Sequence, residues 1–189
     1  MGGWIGPRIR FKCLLCGECC RFYWVPLTHV DVRRIVERTG LRPLQFAGEV
    51  PKPKVGDWGI PAFLLSDGVE HYLVLKKRVD GFCIFIKREG LSFACSIYDS
   101  RPTTCVFYPF VYARDGGVVR FEVVEAARDF CPGLGRGRAK GFDAEFAAAL
   151  AHDEALAQYR ELVNRWNRLV AAGAVEATLE GFLGYITNF

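Results

Sequence analysis

The chain has 189 residues and a formal net charge of +4, long enough to bury a core without cross-links, with a charge balance that serves solubility and attracts nucleic acid only weakly. Its eight cysteines fall short of the roughly 8–10% density of a short secreted disulfide scaffold, and no stretch reaches the roughly 20 apolar residues of a membrane span. Residues 1–10 carry no apolar run that would serve as a signal peptide, so the expectation is a reducing cytoplasm, where thiols bind metal or do redox chemistry.

The elements follow in chain order. Four cysteines crowd into the first stretch, Cys13-Leu-Leu-Cys16-Gly-Glu-Cys19-Cys20. Thr28-His-Val-Asp31 reads as a capping box with Asp in place of Glu, opening an amphipathic helix through Val32, Ile35 and Val36 that ends at Gly40. Arg42-Pro43 allows a helical turn near Leu44–Phe46, and the prolines and glycines of residues 49–62 predict a loop. Tyr72–Leu75, Phe82–Ile86 and Leu91–Ile97 predict antiparallel strands, with the charged Lys87–Gly90 as a turn between the last two. Pro102 places Cys105 on a single helical turn that Pro109 ends, and Asp115-Gly116 joins a hairpin of Phe110–Ala113 with Val118–Val124.

Gly133–Gly141, flexible and basic, predicts a solvated linker. Beyond it Phe142, Phe146, Leu150, Ala157, Leu162, Trp166, Leu169 and Val170 recur at helical spacing up to Gly173, and Val175–Ile186 forms a last helix. The expected fold class is α+β: a cysteine-rich metal-binding domain with short antiparallel strands (1–135), and a C-terminal helical hairpin (142–189) packed on it and offering a surface to a protein partner.

The cysteines carry the chemistry. Cys-x2-Cys lets two thiolates reach one metal from a tight turn, and Gly17 relieves the cost of turning. Cys13-x2-Cys16-x2-Cys19 matches the first three ligands of a bacterial ferredoxin run, whose fourth is a Cys followed by Pro; Cys131-Pro132 supplies one far downstream. The expected ligands are Cys13, Cys16, Cys19, Cys20, Cys83, Cys95, Cys105 and Cys131, holding zinc or an iron–sulfur cluster, with 4Fe–4S favoured. Adjacent side chains of an extended segment point apart, so Cys19 and Cys20 either serve two centres or leave one spare. Closing the Cys20–Cys83 stretch costs roughly 4 kcal/mol, which a structural zinc at ~10–16 kcal/mol offsets.

Beside the cysteines, Arg101 and Tyr98 stand as candidates for the surroundings of the centre: Arg101 to hydrogen-bond its sulfurs, or merely to pair with a carboxylate while Tyr98 packs. Phe11, Phe22, Tyr23 and Trp24 flank the first cluster as a hydrophobic jacket or as plain core. His29, His71 and His152 lack mutual ligand spacing and are expected at the surface or in caps. Scarce Asn, Gln and Met, with Arg well above Lys, point toward a thermophilic source.

The blocks Cys13-x2-Cys16-Gly17-x-Cys19-Cys20, Gly81-Phe-Cys83-x-Phe85, Cys95-x-Ile97-Tyr98-x2-Arg101-Pro102-x2-Cys105-x2-Tyr108-Pro109-Phe110 and Cys131-Pro-Gly133 resemble the CxxCxxCC zinc- or iron-chelating domain family, the YkgJ-like cysteine cluster proteins. The resemblance spans about residues 10–135 and implies a cysteine-bound metal or iron–sulfur centre. The family is similar to the cysteine-rich part of flagellin lysine N-methylases, which raises S-adenosylmethionine-dependent protein lysine methylation as an alternative function, although no adenosylmethionine pocket is recognisable. An RNA- or ribosome-binding zinc module is a further alternative, from the arginines around residues 135–141.

Overall fold

Capping chemistry sets the clearest element ends. The computed structural model describes residues 3–188, in the order Gly3–Ile5 (β1), Arg10–Phe11 (β2), Glu18–Phe22 (α1), His29–Thr39 (α2), Pro43–Phe46 (α3), Ala47–Pro51 (β3), Lys52–Val55 (α4), Phe63–Leu64 (β4), Glu70–Leu75 (β5), Ile86–Glu89 (β6), Ser92–Cys95 (β7), a 3-10 turn at Tyr98–Ser100, Thr103–Phe107 (α5), Phe110–Asp115 (β8), Val118–Val123 (β9), Ala127–Phe130 (α6), Leu134–Ala139 (β10), Asp143–Ala171 (α7) and Leu179–Thr187 (α8). The fold is α+β. Its strands form small sheets of order β1-β9-β8, β10-β2, β3-β5-β4 and β6-β7, antiparallel except for the parallel β1–β9 pair.

The capping box forms as its residues dictate. Thr28 Oγ1 accepts from the Asp31 amide while the Asp31 carboxylate accepts from the Thr28 amide, and Gly40 closes α2 at φ 70°. Helix α8 starts later than its apolar pattern suggested, at Leu179, because Thr178 caps it by accepting from the Gly181 amide at 3.1 Å. The buried stripe of α7 is Ala149, His152, Ala155, Tyr159, Val163 and Trp166. Leu150 and Ala157 of the predicted stripe are exposed instead, since small residues let the helix approach the sheets more closely.

Three stretches differ from expectation. The start of residues 49–62, predicted as loop, instead belongs to edge strand β3 and helix α4: Pro51 stands at the end of an edge strand, where its missing N–H costs the ladder nothing. The apolar run Phe82–Ile86 is mostly turn, with Cys83 in an isolated bridge to Lys77, and the charged Lys87–Glu89 is strand. A two-stranded ribbon leaves its outer side wet, so charge is tolerated there. Finally, residues 134–139 form strand β10 on β2.

The histidines also differ from expectation, for all three are buried. His71 Nδ1 lies 2.9 Å from the Val69 carbonyl, His152 Nδ1 lies 2.9 Å from the Tyr112 hydroxyl, and His29 stacks on Tyr159. Burial pushes the pKa of His29 and of His152 down. Each packs an aromatic face and none adjoins a cysteine sulfur in these contacts.

The main core joins Leu27, Ile35, Phe46, Phe63, Leu73, Phe85 and Ile97 to Tyr159, Trp166, Phe182 and Ile186 of the last two helices. A second cluster, Phe107, Phe110, Phe121 and Phe142 among others, seats α5 and the β8–β9 hairpin against the start of α7. Cys83 belongs to the main core, and Cys20 and Cys95 pack against it. No helix of the described residues is long and apolar enough to cross a membrane.

Candidate metal centre

Backbone hydrogen bonds gather the cysteines before any side chain is considered. The Cys83 amide donates to the Cys20 carbonyl at 2.8 Å, and the Phe93 amide of β7 donates to the Leu15 carbonyl at 2.9 Å. The first pins the Cys83 loop to α1; the second pins the β6–β7 ribbon, which carries Cys95, to the cysteine knot. Gly17 permits this close seating. It adopts φ 75°, and a Cβ there would meet Phe93 Cδ2 at 2.9 Å.

At the other side of the knot the Lys12 amide donates to the Gly133 carbonyl at 3.2 Å. This brings the chain just before Cys13 against the chain just after Cys131. The glycines of the segment expected to be a linker serve this approach: a Cβ on Gly133 would sit 2.3 Å from the Lys12 carbonyl oxygen, and one on Gly137 2.8 Å from Lys12 Cβ. Gly133→Ala is expected to cost about 1–3 kcal/mol through the forced backbone shift, visible as a lower denaturation midpoint, whereas Gly135→Ala meets no neighbour and carries only its positive-φ penalty.

Cys105 is held by a carboxylate that the motif reading credited only with capping. Buried Asp31 accepts from the Thr103 amide at 3.0 Å and from Thr103 Oγ1 at 3.2 Å, so it caps α5 as well as α2. Arg34 Nη2 donates to Asp31 at 2.6 Å and to the Arg101 carbonyl at 2.9 Å. Asp31 and Arg34 thus clamp the Arg101–Cys105 segment onto α2. Position 31 in a capping box was the only sequence signal for this; the reach of 72 residues to Thr103 was not written there.

Cys19 and Cys20 lie on the helical turn α1, not on an extended segment, and their sulfurs approach to 3.9 Å. The other thiols sort around them. Cys20 is pushed up by its contact with Cys19, by burial, and by the neighbouring charges of Cys19, Cys83 and Cys105. Burial pushes Cys83 up to about 11, with Cys95 and Cys19 adding to it; Cys105 is raised by burial, then by Cys83, Cys19 and Cys95. Cys19 recurs in each of these neighbourhoods and in that of Cys95, so Cys19, Cys20, Cys83, Cys95 and Cys105 form one interacting set. Cys131 is raised by burial and then by Cys16 and Cys19, and Cys16 and Cys131 line a common cavity of about 410 Å3 with Glu18, Arg128, Asp129, Phe130 and Pro132. Cys13 is exposed and next in sequence to the Lys12–Gly133 stitch.

Of the flanking candidates, the Arg101 guanidinium stacks over Tyr98 with its carbon 3.9 Å from the ring centroid and donates to the Tyr98 carbonyl at 2.8 Å. Burial raises Cys95 while the Arg101 charge opposes the rise, so Arg101 stands within electrostatic reach of a thiol. Phe22 and Trp24 are largely exposed. Among the described residues no group of three or more Cys, His, Asp or Glu side chains is gathered to hold a single metal ion as placed. The soft thiols, free of disulfides, nevertheless match the ligand chemistry of zinc and of iron–sulfur clusters.

The raised thiols have a consequence for the metal-free chain. An unfolded thiol titrates near 9.0 and Cys83 in the fold near 11, so below pH 9 both states hold the proton and the contribution is complete. Above pH 9 the unfolded chain loses its proton first, and stability falls as pH rises toward 11. Denaturant titrations of reduced, metal-free protein are expected to lose roughly 2–3 kcal/mol over that window from Cys83.

Residues 12–132 match the family model of CxxCxxCC, described as a putative zinc- or iron-chelating domain. No curated protein and no solved structure matches the chain. The matched span holds all eight cysteines, and the chain belongs to the CxxCxxCC zinc- or iron-chelating family.

Proposed function

We propose that this protein carries two thiolate-held metal centres and works in electron transfer or as a cluster-dependent component. The outer set is Cys13, Cys16, Cys19 and Cys131; the inner set is Cys20, Cys83, Cys95 and Cys105. The observations that support the division are the Cys83 amide bonded to the Cys20 carbonyl on one side and the cavity that Cys16 and Cys131 line together on the other, with Cys19 at the seam, felt by Cys83, Cys95, Cys105 and Cys131 alike.

The outer set reproduces the ferredoxin-like Cys-x2-Cys-x2-Cys with a remote Cys-Pro, which supports an iron–sulfur centre of the 4Fe–4S kind there. Donors that share a neighbourhood without closing on one point also suit a cluster, whose irons each take one thiolate. The cavity beside Cys16 and Cys131 leaves this centre open to solvent or to a partner. The inner set is built into the main core through Cys83, a setting that suits a closed structural site of zinc or iron. The 3.9 Å approach of Cys19 to Cys20 supports two centres that lie edge to edge. Arg101, beside Cys95, offsets part of the negative charge that four thiolates bring to the inner site.

The test is metal and acid-labile sulfide analysis with a visible spectrum, on protein prepared without oxygen. The expected result is a broad absorption that bleaches on reduction, with iron and sulfide near four per chain in addition to the inner metal. Colourless, sulfide-free protein containing only zinc would overturn the iron–sulfur assignment.

A further inference from the structure

Tyr23 and Tyr108 each follow a ligand helix by a short step, at the C-terminal ends of α1 and α5. Their rings approach to 5.0 Å, and Tyr23 also packs at 5.7 Å on Phe130, the neighbour of Cys131. Both hydroxyls are buried, and neither meets full hydrogen-bond geometry among the described residues, the contact each does have being with the other, Tyr108 toward Tyr23. One hydroxyl of such a pair donates to the other at most, so the pair keeps at least one buried donor that asks for an acceptor. The charges that both phenols feel are those of Cys19 and Cys131, members of the outer set.

We propose that the Tyr23 and Tyr108 hydroxyls are hydrogen-bond donors to the sulfurs of the outer centre, positioning residues that hold the cluster in place and set its potential. The inference rests on the two-centre reading above. Hydrogen bonds to cluster sulfurs stabilise the reduced, more negative state and so raise the potential. Partners of this kind are worth about 10- to 100-fold in metal retention when removed. A plain packing role has the opposite signature. Replacing an unpartnered buried hydroxyl by hydrogen leaves the ring and its contacts intact and is neutral or stabilising for the fold.

The experiment compares the wild type with Tyr23→Phe, Tyr108→Phe and, as control, Tyr159→Phe, whose hydroxyl is buried without a partner but feels Asp31 and no thiol. Chelator-driven loss of metal from the loaded proteins, the midpoint potential of the cluster and the denaturation midpoint of the metal-free chains are measured. Tyr23→Phe and Tyr108→Phe are expected to lose outer metal about 10-fold faster and to shift the potential negative, with metal-free stability unchanged or higher. Tyr159→Phe is expected to match the wild type in metal loss and potential. A wild type that loads normally while both variants keep its release rate and potential would overturn the tyrosine assignment alone. A wild type that takes up no metal would overturn the two-centre reading and this inference with it.

Discussion

Cys105→Ser is expected to weaken retention of the inner metal and, with it, the fold by about 2.5–4 kcal/mol, one quarter of the ~10–16 kcal/mol that a four-thiolate structural metal supplies. Cys105 sits on α5, its amide donating to the Pro102 carbonyl at 2.9 Å, and the inner set extends into the main core through Cys83. Losing that ligand therefore loosens the junction of α5 with the core as well as the site. Cys13→Ser is the comparison. Cys13 is exposed, so its loss is expected to empty the outer centre while leaving the denaturation midpoint of the rest of the chain nearly unchanged. Metal stoichiometry and thermal unfolding on both variants separate the two sets. Equal effects on both metals from either variant would mean that the eight cysteines serve a single centre.

Asp31→Ala is expected to cost about 2–4 kcal/mol, from two helix caps at about 1 kcal/mol each and the buried donors left without an acceptor. Its carboxylate takes hydrogen bonds from Thr28, Arg34 and Thr103, so the substitution uncaps α2 and α5 together and leaves Arg34 held by the Ser100 and Arg101 carbonyls. Asp31→Asn keeps the acceptor oxygen and part of the caps, and is expected to lose about half as much. Because α5 carries Cys105, the alanine variant is also expected to retain less inner metal. Denaturant unfolding with parallel metal analysis checks both. A loss under 1 kcal/mol would show that the clamp contributes little.

How far the sequence told this story depends on the range of the interactions. Thr28-x-x-Asp31 and Gly40 announced α2 because a helix cap is settled by residues three apart, and the α+β class followed from equally local patterns. The family membership was legible for another reason: ligand cysteines must keep their order and spacing, so Cys13 to Cys131 stand in the chain as a motif. What escaped was set by contacts remote in sequence. Gly133–Gly141 looked like a linker since nothing local reveals that Gly133 lies under the Lys12 carbonyl. Phe82–Ile86 looked like a strand because its apolar content was real, but the Cys83 amide was committed to Cys20. The pairing of Asp31 with Thr103 depends on α2 meeting α5, and that of Tyr23 with Tyr108 on the ends of α1 and α5 meeting, which no single window contains.

X-ray absorption at the edge of the bound metal, on protein prepared without oxygen, tests the central claim most directly. Thiolate-held centres give a first shell of sulfur only, at about 2.3 Å, with an iron–iron scattering shell added if the outer centre is a cluster. A first shell dominated by oxygen or nitrogen would contradict the account, because it would remove the cysteines from the metal.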